Sequence, residues 1–444
     1  MHNSSGRPPS GPGQGDMTTG PGDSKGMGPE GHGPGMGPGG GGIRLAAFSS
    51  LRVRDFRWLW LGNLFSFNAM QMQMVARGWL VYTMTDSPFA LGLVSAGFGV
   101  PMIVFSLYGG AIADRVRKRN LLLVTQACMC LMSLVITVLI NIDLIALWHL
   151  VTASLFSGVI FSFMMPARSA FVVEMVEEED LMNALSLSSM AMNISRIASP
   201  ALAGVLLKLI DVPGTYWIIT LSYGLTMLTT TKIPLGDLMA ARPNVPMLED
   251  VKEGLRYVIG NKIILSMLIL SFVPIIVAMP YQMLMPVFAR SVFGSGETGL
   301  GMLMSATGFG ALIGSTIMAS LGNFQHKGLL MLATGLGFGL FLMVFGYSGS
   351  LFLASVWLVF VGGTSSMFMT ATNALLMTNT PQELMGRVMS LFMMTFGLMP
   401  LGVLPAGALA EAVGAPFTVF IGGAILFLFL VVATITQPHL RKLN

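Results

Sequence analysis

The most regular feature of the chain is a series of long apolar runs, separated by short polar breaks, between about residue 56 and about residue 436. A helix needs about 20 mostly apolar residues to cross the hydrocarbon core of a bilayer. Since each run reaches that length, the pattern predicts an all-α membrane protein with twelve spanning helices. The predicted spans 1 to 12 are 57–84, 90–112, 120–141, 144–169, 182–210, 214–233, 263–289, 298–321, 327–347, 351–376, 385–411 and 415–436.

One longer polar stretch, 234–262, separates the first six spans from the last six. It predicts a cytoplasmic linker between an N-terminal bundle over 45–233 and a C-terminal bundle over 263–444. Within the linker, amphipathic spacing over 248–260 predicts a helix that lies along the membrane surface. Residues 1–44 are expected to form a disordered cytoplasmic tail, because 16 Gly and 7 Pro fall within the first 42 positions and leave little apolar surface to bury.

Charge is scarce and unevenly placed. Charged residues make up 10% of the chain, against about 25% in an ordinary soluble domain, and the net charge is +4. With the N-terminus inside, 20 Lys and Arg residues fall on inner segments and only two, Lys208 and Arg290, on outer ones. Because basic loops stay in the cytoplasm, this bias predicts that both termini are cytoplasmic. The bases therefore serve topology, and no nucleic-acid footprint is left to explain.

The two halves of the apolar region resemble each other in sequence. Short phrases around Ala90, Leu121 and Glu179 are echoed by similar phrases 203 to 209 residues later in the chain. Offsets this consistent predict two parallel six-helix repeats, an architecture in which transporters place their substrate site at the repeat interface near the midplane.

The loop between spans 2 and 3 reads GGAIADRVRKR over 109–119, with Asp114 followed by four bases. An acid in a tight cytoplasmic turn can pair with the positive start of a helix. Span 11 offers such a start, because Thr380 and Pro381 precede Glu383 in the order of an N-cap, a first-turn proline and a first-turn acid. The pattern predicts a cytoplasmic latch, and the alternative is a loop that only fixes topology.

This loop resembles the signature loop of the major facilitator superfamily. Phrases elsewhere are similar to the enterobactin-exporter-like and drug-efflux branch of that superfamily, and they cover the membrane region from about residue 50 to 415. They are VARGWLVY at 75–82, DSPFALGLV at 86–94, PAR at 166–168, PYQ at 280–282, PVFAR at 286–290 and GRVMS at 386–390. The resemblance implies alternating access by rocking of the two halves.

The resemblance also implies a cytoplasmic gate and latch. Its predicted residues are Asp114, Arg115, Arg119, Arg168, Glu383 and Arg387. Arg117 stands where the family's loop commonly has Gly. The equivalent loop of the second half, 322–327, has lost the acid, so a symmetric second latch is not expected.

Span 5 contains the phrase RIASPALAG over 196–204, which resembles a Gly- and Pro-rich motif of antiporters in this superfamily. Pro200 and Gly204 would let a gating helix bend and approach its neighbour closely. The alternative is ordinary helix packing. Ser199 and Ala203 stand where Gly is usual, which weakens the resemblance to antiporters.

Polar groups inside predicted spans are candidates for a substrate cavity, because each costs free energy unless it pairs or lines water. In span 1, Asn63, Ser66, Gln73 and Arg77 fall on one helical stripe. Arg77 could instead extend to the outer surface, and Arg196 could only brace its own half. The full predicted cavity set is Asn63, Gln73, Arg77, Arg196, Tyr281, Gln282 and Asn373.

No acid lies in the middle of a predicted span, so proton coupling rests on the resemblance alone. His149 and Asp114 are the candidate proton carriers, although a hydrogen-bonded structural role is the plainer interpretation of His149. No metal site is expected. The only cysteines, Cys128 and Cys130, point about 200° apart on one helix and cannot form a mutual disulfide.

The sequence thus predicts a secondary transporter that exports a small organic or amphiphilic compound, such as a drug, siderophore or metabolite, by proton antiport. Uptake of a metabolite and a non-transporting membrane sensor or scaffold are the alternatives. An enzyme is not expected, since the chain has no Walker A lysine motif, HExxH or GxSxG. The expected partners are the bilayer of a plasma (inner) membrane, in a prokaryote, a small-molecule substrate and a coupling proton. Neither a cofactor nor nucleic acid is expected, and the protein is expected to be a monomer.

Overall fold

A computed structural model describes residues 49–234, 255–321 and 326–437. The predicted tail over 1–44, most of the predicted linker and residues 322–325 of the acid-free loop of the second half therefore lie outside the described residues, although 255–260 is helical. The labelled helices are α1 Arg54–Thr85, α2 Pro88–Arg115, α3 Lys118–Asn141, α4 Leu147–Met175, α5 Glu178–Thr231, α6 Lys262–Val277, α7 Gly296–Leu321, α8 Lys327–Gly346, α9 Leu351–Asn379, α10 Gln382–Gly397, α11 Pro400–Val413 and α12 Ala415–Thr436.

The described residues confirm an all-helical membrane protein. Nine stretches among them are long and apolar enough to cross a bilayer. Three of the twelve predicted spans are not among these nine stretches. Helix α1 is left out because it carries several charges and amides, and α5 counts once although it covers two predicted spans. Predicted span 11 is left out because α10 and α11 are only 16 and 14 residues long.

Predicted span 11, 385–411, is two helices rather than one. The chain leaves α10 at Gly397, makes a turn and enters α11 at Pro400. Because proline has no backbone N–H and its ring clashes with the preceding turn, Pro400 begins a new helix instead of continuing the old one. The break places the start of α11 against α2, where Pro400 packs on Gly99.

Predicted spans 5 and 6 form one hydrogen-bonded element, α5, which is 54 residues long and about 80 Å if straight. It is not straight, because Ile210 and Asp211 leave the helical conformation and Asp211 adopts a positive φ of 55°. The bend divides α5 into a first arm, 178–209, and a second arm, 212–231. The two arms run in opposite directions along α1. In the first arm Leu187 and Ser199 contact Trp60 and Asn68, so residue numbers rise together.

In the second arm of α5 the order is reversed. Tyr223 contacts Gln73, and Thr229 packs on Gly62. The first arm is therefore parallel to α1 and the second is antiparallel to it, so α5 folds back on itself at Asp211.

Two groups of helices contact each other along a shared face. In the first group, α1–α5, helix α1 packs along α5, α2 on α4 and α3 on α5. In the second group, α6–α12, helix α7 packs on α9, and α8 packs on both α9 and α12. Between the groups, α5 packs on α7 and α2 on α11. We call the end of the molecule that carries Asp86, Asp143 and Asp211 the outer end, following the predicted orientation.

Candidate functional site: a cavity between the two helix groups

A cavity of about 340 Å³ lies where the two helix groups face each other. The first group contributes Gln71, Met74, Arg196 and Pro200, and the remaining wall belongs to the second group. The residues from the second group are Met279, Gln282, Met285, Met304, Thr307, Gly308, Ala311, Gly362, Ser365, Ser366, Met369 and Thr370. A smaller space of about 70 Å³ shares Met74, Gln282 and Met304 with it and adds Arg77 and Ser95.

The wall near Gln282 is built by an irregular segment. Helix α6 ends at Val277 and is followed by a 3₁₀ turn Met279–Leu284, a single α-turn and a π-turn Phe288–Val292. Pro274, Pro280 and Pro286 lack the N–H groups that would continue the helix, which explains the sequence of short turns. Gln282 faces the cavity, and its amide nitrogen lies 3.5 Å from the hydroxyl of buried Tyr281.

Two arginines reach this space from the first group, and neither has a hydrogen-bond or ion-pair partner among the described residues. Arg196 lines the cavity and is exposed. Arg77 is half-buried, lines the smaller space and lies close to Tyr216 and Tyr223. At 1.5 Å per residue, Arg77 is about 12 Å from the outer end of α1, and Arg196 is about 20 Å from the bend of α5.

Other residues of the predicted cavity set do not line it. Gln73 is buried, and its Oε1 accepts a hydrogen bond of 2.8 Å from Tyr223 inside the first group. Asn63 is buried on the same face of α1. Gln71 lines the cavity instead, because residues two apart point about 200° away from each other on a helix. Asn373 is half-buried and lines neither space, and its Oδ1 has no hydrogen-bond partner within the described ranges.

Arg168 lies in the inner quarter of α4 and points into the first group. It is 5% exposed, donates from Nη2 to Ser66 Oγ at 2.7 Å and lies 4.5 Å from the centre of the Phe67 ring. Its Nε and Nη1 atoms have no hydrogen-bond partner in the described part of the chain. The structure therefore holds a buried cation without an acid beside it among the described residues.

The other predicted gate residues are only partly described. Arg115 is exposed, and Arg119 donates from Nη2 to the Thr231 carbonyl at the end of α5 at 3.0 Å. Thr380, the predicted N-cap, donates instead to the Leu376 carbonyl at 2.6 Å. The side chains of Asp114, Glu383 and Arg387 lie outside the described residues, so the latch stays a prediction.

His149 has a structural contact at the start of α4. Its Nδ1 accepts a hydrogen bond of 3.0 Å from the Ala146 backbone N–H, and its ring lies 3.7 Å from that of Trp148. The arrangement agrees with a hydrogen-bonded role, and the prediction that His149 carries a proton is not tested by it.

Pro200 and Gly204 lie where α5 meets α7. A Cβ atom on Gly204 would lie 2.7 Å from the Glu297 carbonyl oxygen, and one on Gly301 would lie 2.8 Å from the Pro200 carbonyl oxygen. One turn deeper, Ser305 Oγ donates to the Ile197 carbonyl at 2.8 Å. The two glycines bring the helix backbones into direct contact and close this side of the interface.

Polar contacts that sequence reasoning missed join the two groups at the outer end. Arg290 forms an ion pair of 2.9 Å with Asp86, and Tyr82 Oη lies 2.6 Å from Ser291 Oγ. Arg290 also donates to the Tyr82 carbonyl at 3.2 Å. The available signal was that Arg290 is one of only two bases on the predicted outer segments, but sequence spacing could not name its partner about 200 residues away.

Glu411 of α11 closes the outer end at a second point. Its Oε2 accepts hydrogen bonds from Ser87 Oγ and, at 3.1 Å, from the Phe89 backbone N–H in the first turn of α2. These two donors hold the pKa of the exposed Glu411 carboxyl below its usual range. A carboxylate at the start of a helix is also stabilised by the helix dipole. The outer clasp, as we name it, comprises Asp86, Ser87, Phe89, Arg290 and Glu411.

Two groups of apolar helices with a cavity at their interface are the arrangement expected of a membrane transporter. The chain belongs to the transmembrane secretion effector family of the major facilitator superfamily, whose family model matches residues 45–444. The match confirms the family resemblance and the transport class predicted from the sequence.

Characterised relatives include exporters. The chain is 28% identical to the enterobactin exporter EntS of Citrobacter koseri over 351 residues, which cover 76% of this chain and 80% of that protein. It is 23% identical to macrolide efflux protein A of Streptococcus pyogenes over 396 residues, which cover 88% of this chain and 97% of that protein.

Solved structures share the fold at low sequence identity. A crystal structure of the nucleoside transporter NupG matches with a TM-score of 0.71 at 12% identity, covering 86% of this chain and 99% of that one. The D-xylose-proton symporter matches with a TM-score of 0.66 at 12% identity, covering 86% of this chain and 96% of the symporter chain.

Proposed function

We propose that the protein is a secondary exporter of small organic or amphiphilic compounds that works by alternating access. The observation that carries this proposal is the cavity at the interface of the two helix groups that Arg196 and Gln282 line, because cross-group contacts separate it from the outer end. Where α5 meets α7, those contacts extend from the outer clasp through Gly204 and Gly301 to Ile197. Along α2, they extend from Gly92 to Ile103. Export as the direction is supported by the exporting relatives.

The two groups then correspond to two six-helix domains with a linker between them and twelve membrane crossings. Three features support the number twelve. The arms of α5 run antiparallel and provide two crossings, α10 and α11 follow one another and together provide one, and α1 is 32 residues long. The charge bias supports cytoplasmic termini in an inner membrane, and the chain is proposed to act as a monomer.

The described state has a closed outer end, and we assign it to the inward-facing side of the cycle. The inner part of the first arm of α5 agrees with this assignment, since Met182 is 76% exposed and Leu185 and Met190 are exposed as well. In the opposite state the inner latch would form, with Asp114, Arg115, Arg119 and Arg168 meeting Glu383 and Arg387. Buried and short of partners here, Arg168 is a candidate partner for an acid in that state.

Proton antiport is the proposed energy source, supported by the family relationship. Asp114 and His149 remain the candidate carriers. Proton binding at either group would be coupled to transport only if it changed the balance between the two states.

Everted membrane vesicles test the proposal directly, because an exporter accumulates its substrate inside them. Respiring vesicles with the wild-type protein or Asp114→Asn would receive a panel of anionic, neutral and cationic fluorescent amphiphiles, with and without a protonophore. We expect accumulation of at least one compound by the wild type, loss of it with the protonophore and a strong reduction in Asp114→Asn.

Lys208→Gln is the matched control, since Lys208 is an exposed base outside the cavity and the latch. It should accumulate the same compounds as the wild type. Accumulation that survives the protonophore would overturn proton coupling, and release rather than accumulation of loaded compounds would reverse the proposed direction.

A further inference from the structure

We infer that the cavity binds organic anions, with Arg77 and Arg196 as the groups that recognise the negative charge. This inference rests on the proposed function, because it names the substrate class of the same cavity. It concerns charge selectivity, which membership of the family leaves open.

The electrostatic balance of the cavity is one-sided. Its lining and that of the smaller space include two guanidinium groups and no acid. Neither Arg77 nor Arg196 has an ion-pair partner among the described residues. Charges in a low-dielectric region interact several times more strongly than in water, so an anion would be attracted and a lipophilic cation repelled there. An unpaired cation at this depth is costly unless it meets water or a ligand.

The remaining wall fits the rest of such a ligand. Five methionines line the cavity, Met74, Met279, Met285, Met304 and Met369, and present flexible apolar surface that adapts to different shapes. Two amide side chains that can donate hydrogen bonds, Gln71 and Gln282, lie between them. The volume of about 340 Å³ falls within the range of pockets for drug-sized ligands.

The two arginines lie at different depths, which indicates how an anion would travel. Ser199 contacts Asn68 in the parallel register of the two helices, so Arg77 lies outward of that level and Arg196 inward of it, roughly 18 Å apart along the axis at 1.5 Å per residue. Met74, Gln282 and Met304 line both spaces and connect the two positions. An anion that enters from the inner side would meet Arg196 first and Arg77 next to the closed outer end.

The same observations count against the alternative in which Arg77 extends to the outer membrane surface. Arg77 is half-buried, lines the smaller space and lies beside Tyr216 and Tyr223 of the first group. The outer clasp is held by Arg290 instead.

Binding of a matched pair of dyes tests the inference. Carboxyfluorescein and rhodamine 123 share the xanthene ring system but carry opposite charges. Fluorescence anisotropy would be measured on the full-length protein purified in a neutral detergent. We expect the anion to bind about tenfold or more tightly than the cation, since hydrogen bonds to charged groups contribute roughly this much.

Variants assign the preference to the two arginines. Arg77→Gln and Arg196→Gln should each weaken carboxyfluorescein binding by about tenfold, as expected for the loss of one charge-assisted contact. Arg196→Lys should retain part of the affinity, and Lys208→Gln on the same arm of α5 should bind like the wild type. Three outcomes would overturn the inference. Rhodamine 123 could bind as tightly as carboxyfluorescein or more tightly, both Gln variants could bind carboxyfluorescein like the wild type, or neither dye could bind.

The same two dyes in everted vesicles separate this inference from the proposed function. Binding of the anion that depends on both arginines, without accumulation, would leave the inference standing and count against export. Accumulation of the cation that is indifferent to both arginines would support export and overturn the inference.

Discussion

At the scale of single residues, the most unusual group is Arg168. Its guanidinium is buried in the first helix group against the Ser66 hydroxyl, the Met164 sulfur and the Phe67 ring, and two of its nitrogens have no partner among the described residues. Lys118 provides the contrast, because its ammonium lies 2.6 Å from Glu174 at a site of similar burial. One buried cation is thus paired and the other is not, although they occupy adjacent helices of the same group.

This difference predicts opposite effects of the same substitution. Arg168→Met removes an incompletely compensated buried charge and should stabilise the protein by about 1–3 kcal/mol, whereas Lys118→Met strands the Glu174 carboxylate and should destabilise it by about 3 kcal/mol. Thermal unfolding midpoints in detergent, followed by tryptophan fluorescence, measure both. A lower midpoint for Arg168→Met would show that its contacts with Ser66 and Phe67 outweigh the cost of burial.

The carboxyl of Glu411 gives a residue-scale prediction about pH. Its pKa is lowered in the closed state by the donors Ser87 and Phe89, so the ionised form favours closure. The contribution is complete above the usual pKa of a glutamate and is lost as the pH falls through the lowered pKa of Glu411. Acidification outside should therefore open the outer end, and Glu411→Gln should open it at neutral pH.

Spin labels on the outer surface measure this opening. Leu144→Cys and Gly349→Cys lie at exposed positions of the first and second groups, in a background with Cys128 and Cys130 replaced by Ser. We expect longer label distances on acidification and in Glu411→Gln. Asp143→Asn is the control, because this exposed outer acid makes no cross-group contact in the described part of the chain; distances insensitive to pH would refute the role of Glu411.

At the scale of elements, helix pairs meet through small residues and prolines. Gly204 and Gly301 bring α5 and α7 into backbone contact, and Gly92 and Gly407 do the same for α2 and α11. Small residues of this kind allow close helix packing inside a bilayer, where burial of apolar surface gives no net driving force. Closure of the outer end therefore depends on the absence of side chains at these positions.

A side chain at Gly204 should hold the outer end apart. Gly204→Val places its Cβ 2.7 Å from the Glu297 carbonyl oxygen, which is too close for any real contact. A cysteine introduced at Ser95, which lines the smaller space, should then react several-fold faster with a membrane-impermeant thiol reagent added outside. Gly224→Val is the control, since nothing lies within 4 Å of its Cβ; equal reactivity of the two variants would contradict a closing role for Gly204.

Elements were predictable from the sequence to the extent that local chemistry determines them. Polar breaks at Asp86, Asp143 and Asp211 mark helix ends, where all three residues adopt the positive φ that aspartate tolerates better than most side chains. The division of 385–411 at Pro400 was missed, because proline also occurs inside α2, α4 and α11 without ending the helix. Whether a membrane proline bends or breaks a helix depends on the helices packed around it.

The residues of the cavity were predictable only in part. Arg196, Gln282 and Pro200 line it, and Arg77 lines the space that adjoins it. Asn63 and Gln73 lie on a polar stripe that faces the second arm of α5, because the interior of a helix group also satisfies polar side chains. A helical wheel shows that polar residues share a face, but it does not show which neighbour that face meets.

At the scale of the whole molecule, the distribution of bases predicts orientation. Twenty bases on one side against two on the other should place both termini in the cytoplasm. A green fluorescent protein fused after Asn444 should fluoresce, while alkaline phosphatase fused there should be inactive. Alkaline phosphatase inserted after Asp143 is the complementary control and should be active; the reverse pattern would invert the assignment of inner and outer ends.

Helix α2 connects the two ends of the molecule, with Pro88 at one end and Arg115 at the other. Its outer start receives the Glu411 carboxylate from the second group. The predicted latch would use the inner end of the same helix, with Asp114 docking on the start of α10. The closed states on the two sides would then each depend on one carboxylate at one helix start, and rocking would exchange one for the other. Because the two interactions are alike, they nearly cancel in the free-energy difference between states, and a bound substrate or proton is left to set the direction.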